Sequence, residues 1–295
     1  MTSTANIRQQ QTLAAPIKLT GPGLFHGIRA NLRLLPAEEN TGIRVRRTDL
    51  DTPEIPARHD YVLSATRRTV LGVAETTIIE TTEHLMAALA GLQVDNCLIE
   101  LNAPEVPSFD ASSRVFCDAI LECGLVRQST PAATLTVENR LTASGPGKES
   151  LVLRPYQKPL MAVTWHLDYG ARSPVLPQVY SAELTPEIFV REIAAARTFV
   201  LEAEIKALQR LGYGKHLTDA DLLVCGTDGI WNNRLRWSNE CVRHKLLDCI
   251  GDLALSGLSI QGHITAIRSG HKLNHQLAAT VATENQEDTL MSAAA

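Results

Sequence analysis

A polar, proline-bearing stretch, Gln128–Ala133, divides the sequence into two halves written in the same style, and that division most limits the fold. In the first half, short strand-like runs between Ile17 and Ile55, and again at Ile78 and Ile79, lead into a helical segment, Leu85–Gly91. A buried-type strand, Cys97–Leu101, and a helix over Val115–Gly124 follow. The second half repeats the theme with strands near 134–138, 151–155 and 160–167, then helices over 186–197, 200–211 and Asn239–Ser256. A strand, Ile260–Ile267, and a short helix over 273–282 close it. Mixed strands and helices in two similar halves predict an α+β protein of two domains, each a helix layer packed on a sheet. The 295 residues also exceed the roughly 100–200 of one ordinary domain. The expected division is 1–129 and 130–285, with a disordered tail over 286–295 and a frayed polar N-terminus.

Composition removes several function classes. Lys plus Arg number 28 against 32 Asp plus Glu, for a net charge of −4, so no global basic field exists to bind nucleic acid. No apolar run approaches the ~20 residues of a membrane span. The N-terminus lacks the apolar core of a secretory signal, which points to the cytoplasm. Six cysteines without a C-x-x-C pair exclude a cysteine zinc knuckle and read as small core residues in a reducing compartment.

The residues with chemical promise gather in three segments. On the Asn239–Ser256 helix, His244, Asp248 and Asp252 fall at i, i+4 and i+8 and form one stripe. Leu246, Leu247, Ile250 and Leu253 supply the packing face. A histidine and an aspartate one turn apart can share a divalent ion, and imidazole with carboxylate suits zinc. An isolated H-x-x-x-D is most often a solvated face, but a polar stripe in so apolar a helix is less easily dismissed. Glu83-His84 opens another helix. It offers either a third ligand with an adjacent base or an ordinary acidic N-terminus favoured by the helix dipole. His271 follows Gly270 just after a strand, where loops often carry function. The other six histidines, His275 among them, read as structural or solvated.

Taken together, these segments resemble the UDP-3-O-acyl-N-acetylglucosamine deacetylase family, the zinc amidases of lipid A synthesis. The matching runs are Thr41–Ile43 through Arg47–Leu50, Thr82–Leu92, Asp95-Asn96, Val106–Ser112, Ala196–Phe199, Val242–Leu253 and Ser269–His271, in family order over nearly the whole chain. The resemblance implies two α+β domains with the active site between them. It assigns zinc ligation to His84, His244 and Asp248, with ferrous iron an alternative, since such donors accept either. It makes Glu83 the general base, His271 the cationic acid, Asp252 its orienting carboxylate and Thr198 the oxyanion donor. Phe199 and Lys245 are placed against the substrate.

The chain also departs from the family pattern. Phe25 and His26 replace a histidine and a hydroxyl residue in the turn Gly23–Gly27, and Arg67-Arg68 stand where a leucine and a small residue are usual. Leu167–Gly170 and Lys215–Asp221 differ as well. Two arginines near an acyl route need partners, or else suit an anionic substrate group, so Arg67 and Arg68 are further candidate substrate contacts. The implied activity is hydrolysis of the N-acetyl amide of UDP-3-O-acyl-N-acetylglucosamine, releasing acetate. An alternative is the same chemistry on another N-acetylated sugar with an altered or absent acyl requirement. A non-catalytic metal-binding homologue is the third reading, disfavoured because the catalytic set is complete. The expected partner is a small nucleotide sugar, with at most transient contact with the inner membrane surface.

Overall fold

The computed structural model describes residues 8–73, 77–219 and 221–294, with side chains to residue 284. Strand Arg29–Pro36 shows how sequence sets the layers. Ala30, Leu32 and Leu34 are buried, while Arg29, Asn31 and Arg33 face solvent, the two-residue period of a half-covered strand. It belongs to a five-stranded sheet ordered Ile17–Pro22, Arg29–Pro36, Cys97–Leu101, Ile43–Arg47, Ile55–Pro56. The second sheet runs Leu141–Ser144, Ser150–Arg154, Ser259–Ile267, Met161–Leu167, Gln178–Glu183, and Thr134–Thr136 also pairs with Ser259–Ile267.

Along each sheet path the spatial order is first, second, last, third, fourth. In both, the last strand is central, antiparallel to the second and parallel to the third. The halves are therefore topological repeats of an α+β unit.

The helices repeat too. In the first half α1 (Glu83–Gly91) precedes the central strand and α2 (Arg114–Cys123) follows it. The second half begins its helices with α3 (Pro186–Ile188), which widens into a π turn over Phe189–Ile193, and α4 (Glu202–Arg210). Then α5 (Glu240–Ala254) precedes the central strand and α6 (His271–Ala294) follows it. A small three-stranded ribbon stands before α1 (Val62–Leu63, Val70–Val73, Thr77–Glu80). Another, Phe199–Leu201, Leu223–Gly226 and Gly229–Ile230, stands between α3 and α5.

Helices α1 and α5 meet in the centre of the molecule, and α5 is buried around nearly its whole circumference. The contact is closest at Gly251, where an added Cβ would lie 2.0 Å from the Glu83 carbonyl oxygen and 3.0 Å from the Ala87 nitrogen. Only a residue without Cβ lets the first turn of α1 approach α5 this closely.

Four segments differ from the sequence reading. The linker-like Gln128–Ala133 lies mostly in a strand, Leu125–Pro131, antiparallel to Gln9–Leu13. That ribbon has only two strands, so Pro131 removes no ladder bond from a sheet interior. Leu141–Ser144 and Gln178–Glu183 are terminal strands of the second sheet path that the reading passed over, because exposed positions interrupt their apolar signal. The last helix continues from 282 to Ala294, through nine positions expected in the disordered tail, since no Gly or Pro follows Gly270 to stop it. Of the expected frayed ends, residues 1–7 and 295 lie outside the described residues, while Gln9 and Gln10, expected to fray, are held in the strand Gln9–Leu13 by pairing with Leu125–Pro131.

Gly251→Ala should therefore force α1 and α5 apart and lower the unfolding free energy by roughly 1–3 kcal/mol, the usual cost of overpacking. Urea denaturation checks this, and an unchanged midpoint would contradict the close approach.

Candidate active site

Because α1 begins against the middle of α5, its first two residues face the α5 stripe. His84 Nε2 lies 3.6 Å from Asp248 Oδ1, and His244 Nε2 lies 3.3 Å from the same oxygen. All three side chains are buried, with ligand atoms within 4.8 Å of one another. His244 Nδ1 donates to the Ala196 carbonyl at 3.0 Å, which leaves the Nε2 lone pair free to face Asp248. Burial, chiefly, pushes the His244 imidazole down to about 3, so it is neutral as a metal ligand must be.

Asp248 Oδ1 supplies the test of fit for a metal. It is buried and, among the described residues, accepts no hydrogen bond. An orphaned buried acceptor of this kind costs ~1–3 kcal/mol. Aimed between two imidazole nitrogens, it matches a divalent cation held by two nitrogens and one oxygen. Burial works against charge on Asp248, yet His244 and Lys245 hold its carboxyl well below the usual range. Lys245 Nζ donates to the other oxygen, Oδ2, at 2.5 Å.

Glu83, the residue before the candidate ligand His84, is buried, and its Oε2 accepts the Thr69 backbone N–H at 3.0 Å. Burial, its largest influence, lifts this carboxyl above the usual range despite the pull of His271 and His84. A carboxylate so raised is a better proton acceptor than a solvated one. On the other side of the centre, His271 Nδ1 donates to Asp252 Oδ2 at 2.8 Å, and its Nε2 lies 3.9 Å from Asp248 Oδ2. Burial opposes a charged imidazole there, but Asp252, Asp248 and Glu83 outweigh it and hold His271 up at about 9. Asp252, also buried, is held below the usual carboxylate range against that burial by His271 and His275.

Thr198 is placed by the segment before the second ribbon. Its N–H donates to the Ala111 carbonyl at 2.7 Å. Its neighbour Arg197 is buried on Glu240 of α5, with Nε donating to Oε1 at 2.8 Å. That ion pair ties the Ala196 carbonyl and Thr198 to the helix carrying His244. Backbone strain gathers nearby. Arg67, Thr81, Ala111 and Arg268 all have φ between 50° and 67°, and each stands within three residues of a site residue or bonds directly to one. Such left-handed positions cost of order 1–3 kcal/mol each for residues other than glycine.

These groups open onto a cavity of about 560 Å³ lined by Glu83, His84, Thr198, Phe199, His244, Lys245, Asp248 and His271. Leu24, Phe25, Leu201, Ile205, Leu208 and Leu217 give much of the remaining wall an apolar surface, with Arg67, Glu204, Gln209 and Asp219 among the polar lining. A larger hollow, about 670 Å³, runs beside Met86, Phe189 and Ile250 and contains none of the candidate metal ligands.

Every residue expected to ligate metal or to catalyse, except Asp252, lines the smaller cavity, and Asp252 stands behind His271. Phe199 lies edge-on to His244 with ring centroids 6.3 Å apart. Arg67 lines the cavity but is ion-paired through both terminal nitrogens to Glu204 of α4. Arg68, expected as a substrate contact, is instead turned into the structure. Its Nε lies 2.6 Å from Glu80 Oε2, and its guanidinium stacks 4.4 Å from the Phe25 ring and 4.9 Å from that of Tyr213. Each of the two arginines is thus ion-paired to a carboxylate of this chain. Sequence reasoning missed Thr69, Glu204, Tyr169, Asn274 and His275. Only His275 carried a signal, standing four residues after His271 on one helix face.

A cradle of two imidazoles and one carboxylate, a raised buried carboxyl beside it and a carboxylate-paired imidazole opposite define the class of metal-dependent hydrolases. The chain belongs to the UDP-3-O-acyl N-acetylglycosamine deacetylase family, whose pattern it matches over residues 10–283. It is 39% identical over 281 residues to the UDP-3-O-acyl-N-acetylglucosamine deacetylase of a Nostoc species, covering 92% of this chain and 97% of that protein. The Myxococcus xanthus protein of the same name is 36% identical over 278 residues, with 93% and 87% covered. The bifunctional enzyme LpxC/FabZ of Chlorobaculum tepidum is 38% identical over 296 residues, and the match covers 90% of this chain but only 62% of that longer protein.

His244→Ala should lose most bound divalent metal on dialysis while keeping its far-ultraviolet circular dichroism. Elemental analysis reads the outcome, and full retention of metal would remove His244 from the donor set.

Proposed function

We propose that the protein hydrolyses the N-acetyl amide of UDP-3-O-acyl-N-acetylglucosamine, an early step in lipid A biosynthesis, and releases acetate. The observation that carries this reading is the joining, in one cavity, of a three-donor metal cradle, a base, an acid and an apolar lobe. The names of the relatives supply the substrate, and the lobe supplies a place for its acyl chain.

The proposed ion is zinc, held by His84, His244 and Asp248. When bound it polarises a carbonyl and makes a water molecule acidic near pH 7. Glu83, fixed by the Thr69 amide, takes the proton from the attacking water. The oxygen adds to the amide carbon, and the negative charge that gathers on the carbonyl oxygen is met by the Thr198 hydroxyl and the cationic His271. His271 then gives a proton to the departing sugar nitrogen, the C–N bond breaks, and acetate and a free amine leave. Asp252 keeps His271 charged until that transfer and aimed throughout. Lys245, beside Phe199 at the cavity wall, is the proposed contact for the nucleotide portion.

Among the described residues no helix is long and apolar enough to cross a membrane. The proposed setting is the cytoplasm, with the acylated substrate met transiently at the inner membrane surface.

Glu83→Gln should keep its metal and lose turnover by about 10²–10⁴-fold, the range a positioned base contributes. Acetate release from the nucleotide sugar and elemental analysis, run on one preparation, check both halves. Loss of metal with this change would show that Glu83 acts in the cradle and not as the base.

A further inference from the structure

The Asp252–His271 pair does not end at Asp252. Thr69, fully buried, directs its hydroxyl at Asp252 Oδ1, 2.5 Å away. His275 Nε2 stands 2.9 Å from the same hydroxyl and 3.3 Å from Asp252 Oδ1. A hydroxyl has one hydrogen to donate, and a carboxylate can only accept. The Thr69 hydrogen therefore goes to Asp252, and His275 must donate its Nε2–H to the Thr69 oxygen. The order is fixed as His275 to Thr69 to Asp252, while Oδ2 of Asp252 accepts from His271 and, at 2.9 Å, from Asn274.

Asp252, His271 and His275 also lie close enough together to suggest a second metal cradle. The hydrogen-bond directions argue otherwise, since both Asp252 oxygens already accept from N–H or O–H donors.

The same threonine reaches the opposite side of the reaction centre, because its backbone N–H holds Glu83. One residue thus sets the base by its main chain and the orienting carboxylate of the acid by its side chain. We infer that Thr69 and His275 are positioning residues of this site, fixing the Asp252 carboxylate so that His271 presents Nε2 to the reacting amide. This inference rests on the deacetylase reading given above, and neither residue touches the cavity.

The test compares Thr69→Val, Thr69→Ser, His275→Leu and the Thr69→Val/His275→Leu double variant in the metal-loaded protein. Thr69→Val should lower kcat about 10–100-fold, as loss of a partner that orients a functional imidazole typically does. KM for the nucleotide sugar and the metal content should stay at wild-type values. Thr69→Ser should restore kcat. His275→Leu should cause a smaller loss, and the double variant should be no worse than Thr69→Val, because both act through one hydrogen-bond path. A crystal structure of Thr69→Val should show His271 Nδ1 displaced from Asp252 Oδ2. Retention of that contact with wild-type kcat, or a loss of kcat that Thr69→Ser does not restore, would overturn the proposal. If Thr69→Val does not fold, the partly exposed His275→Leu carries both readouts. If the unaltered protein releases no acetate, the deacetylase reading fails, and the position of His271 in the variant crystal still decides the positioning claim.

Discussion

The approach of α1 to α5 is the contact on which the site depends. Glu83 and His84 belong to the first half of the chain, His244, Asp248 and Asp252 to the second, and only the crossing of these helices joins them. Gly251 sets its closeness, and the carbonyl it admits belongs to Glu83 itself. The steric contact and the chemical centre therefore share one residue. Nearly complete burial of α5 follows from the same arrangement, since it packs on its sheet, on α1 and on α6. Ionisable side chains so deeply placed are tolerable only where partners surround them.

Those partners divide the centre into two electrostatic environments about one helical turn apart. Around Asp248, His244 is kept neutral and one oxygen is left without a donor, which suits a cation. Around Asp252, every nearby group donates, and His271 is held charged. The spacing of two aspartates on one helix thus yields one end with an open acceptor beside a neutral imidazole and another with a charged imidazole. The four left-handed residues nearby show that loop conformation, and not helix geometry alone, is being held against its preference there.

Much of this arrangement is legible in the amino-acid order, and the part that is not has a physical reason. The i, i+4, i+8 stripe marks α5 because helical periodicity brings His244, Asp248 and Asp252 to one face. Two similar halves are visible in the alternation of strand-like and helical runs. The terminal strands Leu141–Ser144 and Gln178–Glu183 are not, since the first offers only two buried apolar positions, Leu141 and Ala143, and the second buries none and exposes Val179. Arg67 and Arg68 stand out as departures, but Glu204 and Tyr213 are remote in sequence and leave no local trace, while Glu80 meets Arg68 only through the hairpin that pairs Val70 with Glu80. Thr69 is a small polar residue beside two arginines, with nothing in its neighbourhood to announce that both its main chain and its side chain are engaged.

The order of strands in each half has a consequence for synthesis. The middle of the second sheet is Ser259–Ile267, the last strand of that half to emerge, and until it inserts, Ser150–Arg154 and Met161–Leu167 have no common neighbour. His271 follows only four residues behind it. A chain lacking that one strand can hold the α1 histidine and even the α5 stripe, yet its second layer is open along the centre. The strand that closes the second sheet and His271 are thus four residues apart, so one short stretch of chain both joins the two halves of that sheet and brings His271 to Asp252.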